Sequence, residues 1–221
     1  MTKMIRALSL FAAIALVAMA ASAGSSSLAV TNAAAIDGAF GLEVIMANST
    51  GKAYVEDQTP SDETTYNAEF KLNAEGGGLV IAVADDATSR HEVFAGRNPA
   101  NLIRIEIHCR ATFGGAGNCG AGDTGQWRAK AYARRDNNTW KFCGQAGFQP
   151  TGNTTWGVEW VQGDGGANGS IRFLKNGSEV RLCTGLDNDD RGMNAARIGA
   201  VNRVDTGTAG TSYMDSFVST R

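Results

Sequence analysis

The sequence predicts an all-β protein built as a two-sheet antiparallel sandwich. Three observations carry this. Apolar runs with period-two alternation recur at roughly ten-residue spacing, as in sandwiches and barrels. Clusters of Gly, Asn, Asp and Ser separate them. Beyond residue 23, helix signals are nearly absent: the one candidate, Thr59-Pro60-Ser61-Asp62-Glu63, suits a helical cap and first turn and equally well a loop.

The chain opens with MTKMIRALSLFAAIALVAMAASA. Lys3 and Arg6 precede a short apolar run, and Ala21-Ser22-Ala23 supplies the small residues of a cleavage site. Residues 1–23 read as a secretory signal peptide, and residues 24–221 as one domain of ample size for a buried core. The apolar run is short for a bilayer span and no later segment is long enough, so no membrane insertion is expected. The expected location is secreted or periplasmic.

Strand runs follow in order. Phe40 to Met46 sets Leu42, Val44 and Met46 against Gly41, Glu43 and Ile45. Thr65 to Leu72 alternates more cleanly, with Tyr66, Ala68, Phe70 and Leu72 on one face and Asn67, Glu69 and Lys71 on the other. Further runs span Gly78–Ala84, Glu92–Ala95, Leu102–Arg110, Gln126–Arg134, Thr139–Cys143, Trp156–Gln162, Ser170–Lys175, Glu179–Cys183, Ala196–Val201 and Tyr213–Ser219. Gly76-Gly77-Gly78, Gly114–Gly125 and Gly163–Gly169 read as breaks between strands. Asn176-Gly177 is the strongest hairpin signal, because both turn positions require positive φ. It makes VEWVQ, SIRFLK and EVRLC a meander.

Cys109, Cys119, Cys143 and Cys183 all follow the leader, and an even set in an exported chain reads as disulfides. The preferred pairing is Cys109–Cys119 across one loop and Cys143–Cys183 between distant strands. A zinc site is not expected, since His91 and His108 are the only histidines and neither is spaced with the cysteines. The formal net charge of −2, more acidic still without Lys3 and Arg6, gives no support for nucleic-acid binding.

Several stretches together resemble the concanavalin A-like lectin/glucanase superfamily, in the laminin-G-like jelly-roll form of secreted bacterial proteins. They are Trp156-Gly157-Val158-Glu159-Trp160, the Asn-Gly hairpin, Leu186-Asp187-Asn188-Asp189, Ile198-Gly199-Ala200 and Tyr213-Met214-Asp215-Ser216-Phe217. The resemblance spans nearly all of residues 24–221. It implies a jelly roll with sugars lying across a concave sheet or at its rim, often with calcium. The superfamily holds lectins, glycan-binding modules, degrading enzymes and adhesion domains, so fold alone does not choose among them.

No catalytic residues are assigned from the sequence. The Glu-x-Asp-x-x-Glu pattern of jelly-roll glucanases is missing; Glu106 and Glu159 stand alone in their strands, and Glu56 and Asp57 face opposite ways. Jelly-roll lyases use a His or Tyr base with Arg and Gln or Asn partners. Arg104-Ile105-Glu106-Ile107-His108 and Tyr132 offer such residue types without the fuller motifs.

The candidate binding face comes from two runs. In Leu102–Arg110, Ile103, Ile105 and Ile107 point one way and Arg104, Glu106, His108 and Arg110 the other. In Gln126–Arg134, Trp127 and three alanines oppose Gln126, Arg128, Lys130, Tyr132 and Arg134. Pairing of the runs merges the polar faces into a stripe of Arg104, His108, Arg128, Lys130, Tyr132 and Arg134, with Trp140 just beyond. Such a stripe suits an acidic polysaccharide, with Arg forking onto carboxylates and Tyr132 stacking a sugar ring. The plainer reading is the ordinary polar side of a half-exposed sheet. Asp187 and Asp189 supply hard oxygens that suit Ca²⁺, against the plainer reading of a solvated acidic turn. Asp215, between Tyr213 and Phe217 on one strand face, reads as a structural carboxylate. The expected function is a stand-alone, non-catalytic carbohydrate-binding or cell-surface adhesion module, with no cofactor unless calcium. The alternatives are a small polysaccharide hydrolase or lyase, or a matrix protein acting through protein contacts.

Overall fold

A computed structural model describes residues 26–47, 51–81, 88–110, 118–120 and 126–221. The expected leader, residues 1–23, lies outside these. Strands are numbered along the chain. One sheet is seven-stranded, in the order β1 (Ser27–Thr31), β2 (Gly41–Ala47), β13 (Ala209–Thr220), β4 (Thr65–Val80), β9 (Thr154–Val161), β10 (Gly169–Lys175) and β11 (Ser178–Leu186). The other is six-stranded, in the order β3 (Ala53–Asp57), β12 (Ala195–Asn202), β5 (Thr88–Asn98), β6 (Ala100–Arg110), β7 (Gln126–Arg134) and β8 (Trp140–Gly147). Every pairing is antiparallel. The two sheets form the expected jelly-roll sandwich.

Period two decides which residues meet between the sheets. Tyr66, Phe70, Leu72, Trp156, Trp160 and Phe173 of the seven-stranded sheet share one buried cluster with Phe94, Ile103, Ile105, Ile107, Ala129 and Ala131 of the other. Phe70 and Phe94 stack across the sandwich at 5.8 Å between ring centres. Trp156 stacks on Phe173 at 5.4 Å. The predicted meander is β9, β10 and β11, side by side, and Asn176 and Gly177 have the positive φ values that a two-residue hairpin demands.

One reading left open is decided for the loop, and one expectation gives way. Residues 59–63 form no helix: the Asp57 carboxylate accepts bonds from the Thr59 amide and hydroxyl, while Glu63 bridges to Met193. Gly76-Gly77-Gly78 is not a break but lies inside β4. There β4 and β13 shift register, and side chains of β13 lie directly on the β4 backbone. A Cβ on Gly76 would stand 2.5 Å from the Tyr213 ring, and one on Gly77 would stand 2.5 Å from Thr211. The run marks a bulge with close backbone approach. Asp215 is structural as read: it accepts bonds from the amides of Ile36, Asp37 and Ser216 at 2.8, 2.7 and 2.6 Å.

Both expected disulfides form. Cys109–Cys119 ties β6 to the segment that bridges Ile81. Cys143–Cys183 joins β8 to β11, the last strand of each sheet, and so fastens one side of the sandwich. It closes a separation of 40 residues. The loop-entropy model assigns such a cross-link about 4 kcal/mol. Replacing Cys143→Ala together with Cys183→Ala should lower unfolding free energy by about that amount in urea melts. An unchanged melt would show that the β8–β11 side holds without it.

Candidate functional site

The β6–β7 hairpin forms in the register that merges the polar faces. Arg104 lies opposite Tyr132, Glu106 opposite Lys130, His108 opposite Arg128 and Arg110 opposite Gln126. β5 and β8 extend these rungs. Arg90 flanks His108, Glu92 flanks Glu106, and Phe142 flanks Tyr132. The outer face of the six-stranded sheet is therefore a ruled surface of charge and aromatic rings, backed by the isoleucines and alanines of the core.

At its centre this face is not solvated. Glu106 is 0% exposed, His108 2% and Arg104 8%. The Glu106 carboxylate gathers its neighbours: Arg104 Nε at 2.8 Å, Arg203 Nη1 at 2.9 Å and His108 Nε2 at 2.8 Å. Burial pushes this carboxyl up, but the His108 hydrogen bond and the charges of Arg104, Arg203 and His108 together hold it below its ordinary value. Burial lowers the His108 pKa, against the raising effect of Glu106, which favours the neutral ring. Its Nδ1 is buried without a partner. His91, on the core side of β5, is also buried with neither ring nitrogen bonded, and burial drives its pKa down to about 3.

Arg104 is clamped twice more. Its guanidinium carbon lies 3.9 Å from the Trp140 ring centre and 4.7 Å from that of Tyr132. Such contacts fix a side chain that would otherwise be mobile. Tyr132 meets Phe142 edge to face at 5.6 Å, and Phe142 is 47% exposed. Arg128, Lys130, Tyr132 and Arg134 are half-buried along β7. Arg128 bonds Gln126, and none of the three cations of this row has a carboxylate partner among the described residues. Burial lowers the Lys130 pKa, with the charges of Arg128, Arg90 and Arg110 in the same direction and Glu106 opposing. Burial, then Glu106, raises the Tyr132 phenol.

The structure thus brings together every residue of the expected stripe, with Arg104 and His108 committed to Glu106 and the β7 row at the surface. It adds Arg90, Glu92, Phe142 and Arg203, which the sequence reading did not select. Glu106 shows itself in the sequence only as the acid two residues after Arg104 and two before His108. Arg203 comes from another strand end and leaves no local signal.

The acidic turn is arranged differently from the expectation. Carboxylate oxygens of Asp136, Asp189 and Asp190 lie within 4.8 Å of one another, and Asp187 is not among them. Asp136 accepts bonds from the amides of Asp189 and Asp190 at 2.8 and 3.3 Å, the work of a turn cap. Among the described residues this is where three such ligands gather.

No protein-family model and no curated protein matches the chain in sequence. Solved structures match its fold. An endo-β-1,4-glucuronan lyase from the fungus Trichoderma reesei superposes with a TM-score of 0.56 at 10% identity, covering 88% of this chain and 86% of that one. A cellulose-induced protein, Cip1, gives 0.55 at 9% identity over 89% and 86%. A variant of the alginate lyase Aly36B in complex with an alginate tetrasaccharide gives 0.53 at 12% identity over 82% and 80%. These likenesses are of fold: a two-sheet antiparallel β-sandwich shared over most of each chain.

Removing the charge of Glu106 leaves buried cations uncompensated. Glu106→Gln should cost about 3–5 kcal/mol near neutral pH. The folded carboxyl titrates below its ordinary value of 4.5, so its contribution is full above that pH and lost as pH falls through the lowered value. Urea midpoints of the two proteins should converge in acid; a gap independent of pH would contradict this account.

Proposed function

We propose that the protein is a lyase of acidic polysaccharides whose working surface is the outer face of the six-stranded sheet. One observation carries the reading: the β7 row of Arg128, Lys130, Tyr132 and Arg134 has no carboxylate partner among the described residues and lies over a prearranged charge cluster. From Arg128 to Arg134 the row runs roughly 20 Å, long enough for an oligosaccharide. A uronate chain offers a carboxylate on each sugar for the guanidinium forks and a ring for Tyr132 and Phe142. The fold-level likeness to lyases of glucuronan and alginate supports this choice over a hydrolase.

β-Elimination needs three services. A base removes the proton on the carbon beside the carboxylate, and that electron pair becomes a carbon–carbon double bond. The glycosidic carbon–oxygen bond breaks, and the leaving oxygen takes a proton. Cations neutralise the carboxylate while negative charge builds on it. Lys130, whose pKa burial lowers, serves as base in its neutral form, and Tyr132, whose phenol is held protonated, serves as acid. They stand two residues apart on one strand face, with α-carbons roughly 7 Å apart. Arg104 and Arg128 flank them across and along the sheet. The proton then passes from Lys130 back to Tyr132 through solvent. Two disulfides agree with work outside the cytoplasm.

Incubation with glucuronan or alginate should release oligosaccharides carrying a double bond, read as ultraviolet absorbance. Lys130→Ala and Tyr132→Phe should each lower kcat by about 10²–10⁴-fold. The rate should rise as Lys130 loses its proton and fall as Tyr132 loses its own, placing the optimum on the alkaline side. Selective binding without product would instead make this face that of a glycan-binding module.

A further inference from the structure

A depression of about 320 Å³ lies on the same outer face, towards β5 and β12. Lys52, Arg97, Arg104, Arg134 and Arg197 line it together with Trp140. Small-ligand pockets run from about 300 to 1,000 Å³, so this one is sized for a single sugar. Its cations are unequally engaged. Arg97 and Arg197 both pair with Glu56, and Arg197 lies over Tyr54 at 4.1 Å. Arg104 is held through Nε by Glu106, and its outer nitrogens make no hydrogen bond among the described residues. Arg134 Nε is buried without a partner. Also lining the depression is Glu92, 0% exposed, whose Oε1 takes the Asn101 amide while Oε2 has no partner. Guanidinium groups and a buried, half-satisfied carboxyl thus line one depression.

We propose that this depression is an anion subsite taking the carboxylate of one uronate sugar, and that the charge state of Glu92 sets its affinity; the proposal rests on the lyase reading of the same face. An anion placed near an ionised Glu92 meets a like charge in a poorly screened setting, and near a neutral Glu92 that repulsion is gone while the cations of the depression remain. The groups facing Glu92 are Arg104 and Glu106 of β6, Arg203 after β12, Lys52 before β3, and the amide of Asn101, with Asn202 opposite it in register. Burial outweighs the cations, Glu106 adds to it, and the carboxyl is pushed up to about 7. Glu92 therefore changes charge across neutrality. A bound carboxylate favours its proton, so affinity is highest below that value and falls as pH rises through it.

The test is calorimetric titration of glucuronan and alginate tetrasaccharides into the Lys130→Ala protein. That background does not consume the ligand, and the titration of the lysine itself is gone. Kd should rise about tenfold between about pH 6 and about pH 8. Adding Glu92→Gln should abolish that rise and hold the low-pH affinity throughout. Carbon NMR of the carboxyl of Glu92 in the Lys130→Ala protein should show its titration moving to higher pH when tetrasaccharide is added. A slope that survives Glu92→Gln, or a carboxyl titration indifferent to ligand, overturns the subsite. If binding then still weakens in Arg128→Ala, the lyase reading stands without it; if neither tetrasaccharide binds at either pH, both fall.

Discussion

Glu106 sits where no solvent reaches it, yet its surroundings favour its charge. An ion in such a place costs several kcal/mol unless its lone pairs are met. Here hydrogen bonds come from His108, after it on the strand, and Arg203, from beyond β12, and Arg104, before it on the strand, adds an ion-pair contact. That requirement organises the whole outer face. It holds the Arg104 guanidinium between Trp140 and Tyr132, keeps His108 out of solvent, and leaves the β7 row as the chemically available surface. The candidate site is a consequence of one charge that had to be satisfied inside a sheet face.

Much of the frame was legible because a strand reports its faces directly. Thr65–Leu72, Leu102–Arg110 and Gln126–Arg134 alternate, and the structure buries the apolar side of each. Asn176-Gly177 named its own turn. β1 and β3 were not picked out as strands: each has five residues and lies at a sheet edge, too short to show a full alternation. The glycines of β4 misled because a bulge and a break use the same residue. What distinguishes them is the Tyr213 and Thr211 side chains, distant in sequence.

The site was legible in outline and not in depth. Polar alternation gave the direction of Arg104, His108 and Tyr132 but assumed that the outward side is the wet side. Burial of Arg104 and His108 depends on Arg203 and on the neighbouring rungs of β5 and β7, a two-dimensional arrangement that one strand cannot encode. Glu92 illustrates the limit further. Its partner Asn101 lies around the β5–β6 turn, and the cations that bear on it come from β6 and from residues beyond β12 and before β3. Only the assembled sheet makes it a group that titrates near neutrality.

β8 is an edge strand of the six-stranded sheet, paired on one side only, with β7. It also carries Trp140 and Phe142, the rings that bound the face. A margin strand is the first part of a sheet to fray, and the sulfur bridge from Cys143 to β11 restrains this one. Oxidised thiols therefore add a covalent restraint to the strand that carries the aromatic wall, beside its pairing with β7. Reduction would remove that restraint from the working face before it touched the centre of either sheet, tying the stiffness of the wall to the molecule's surroundings.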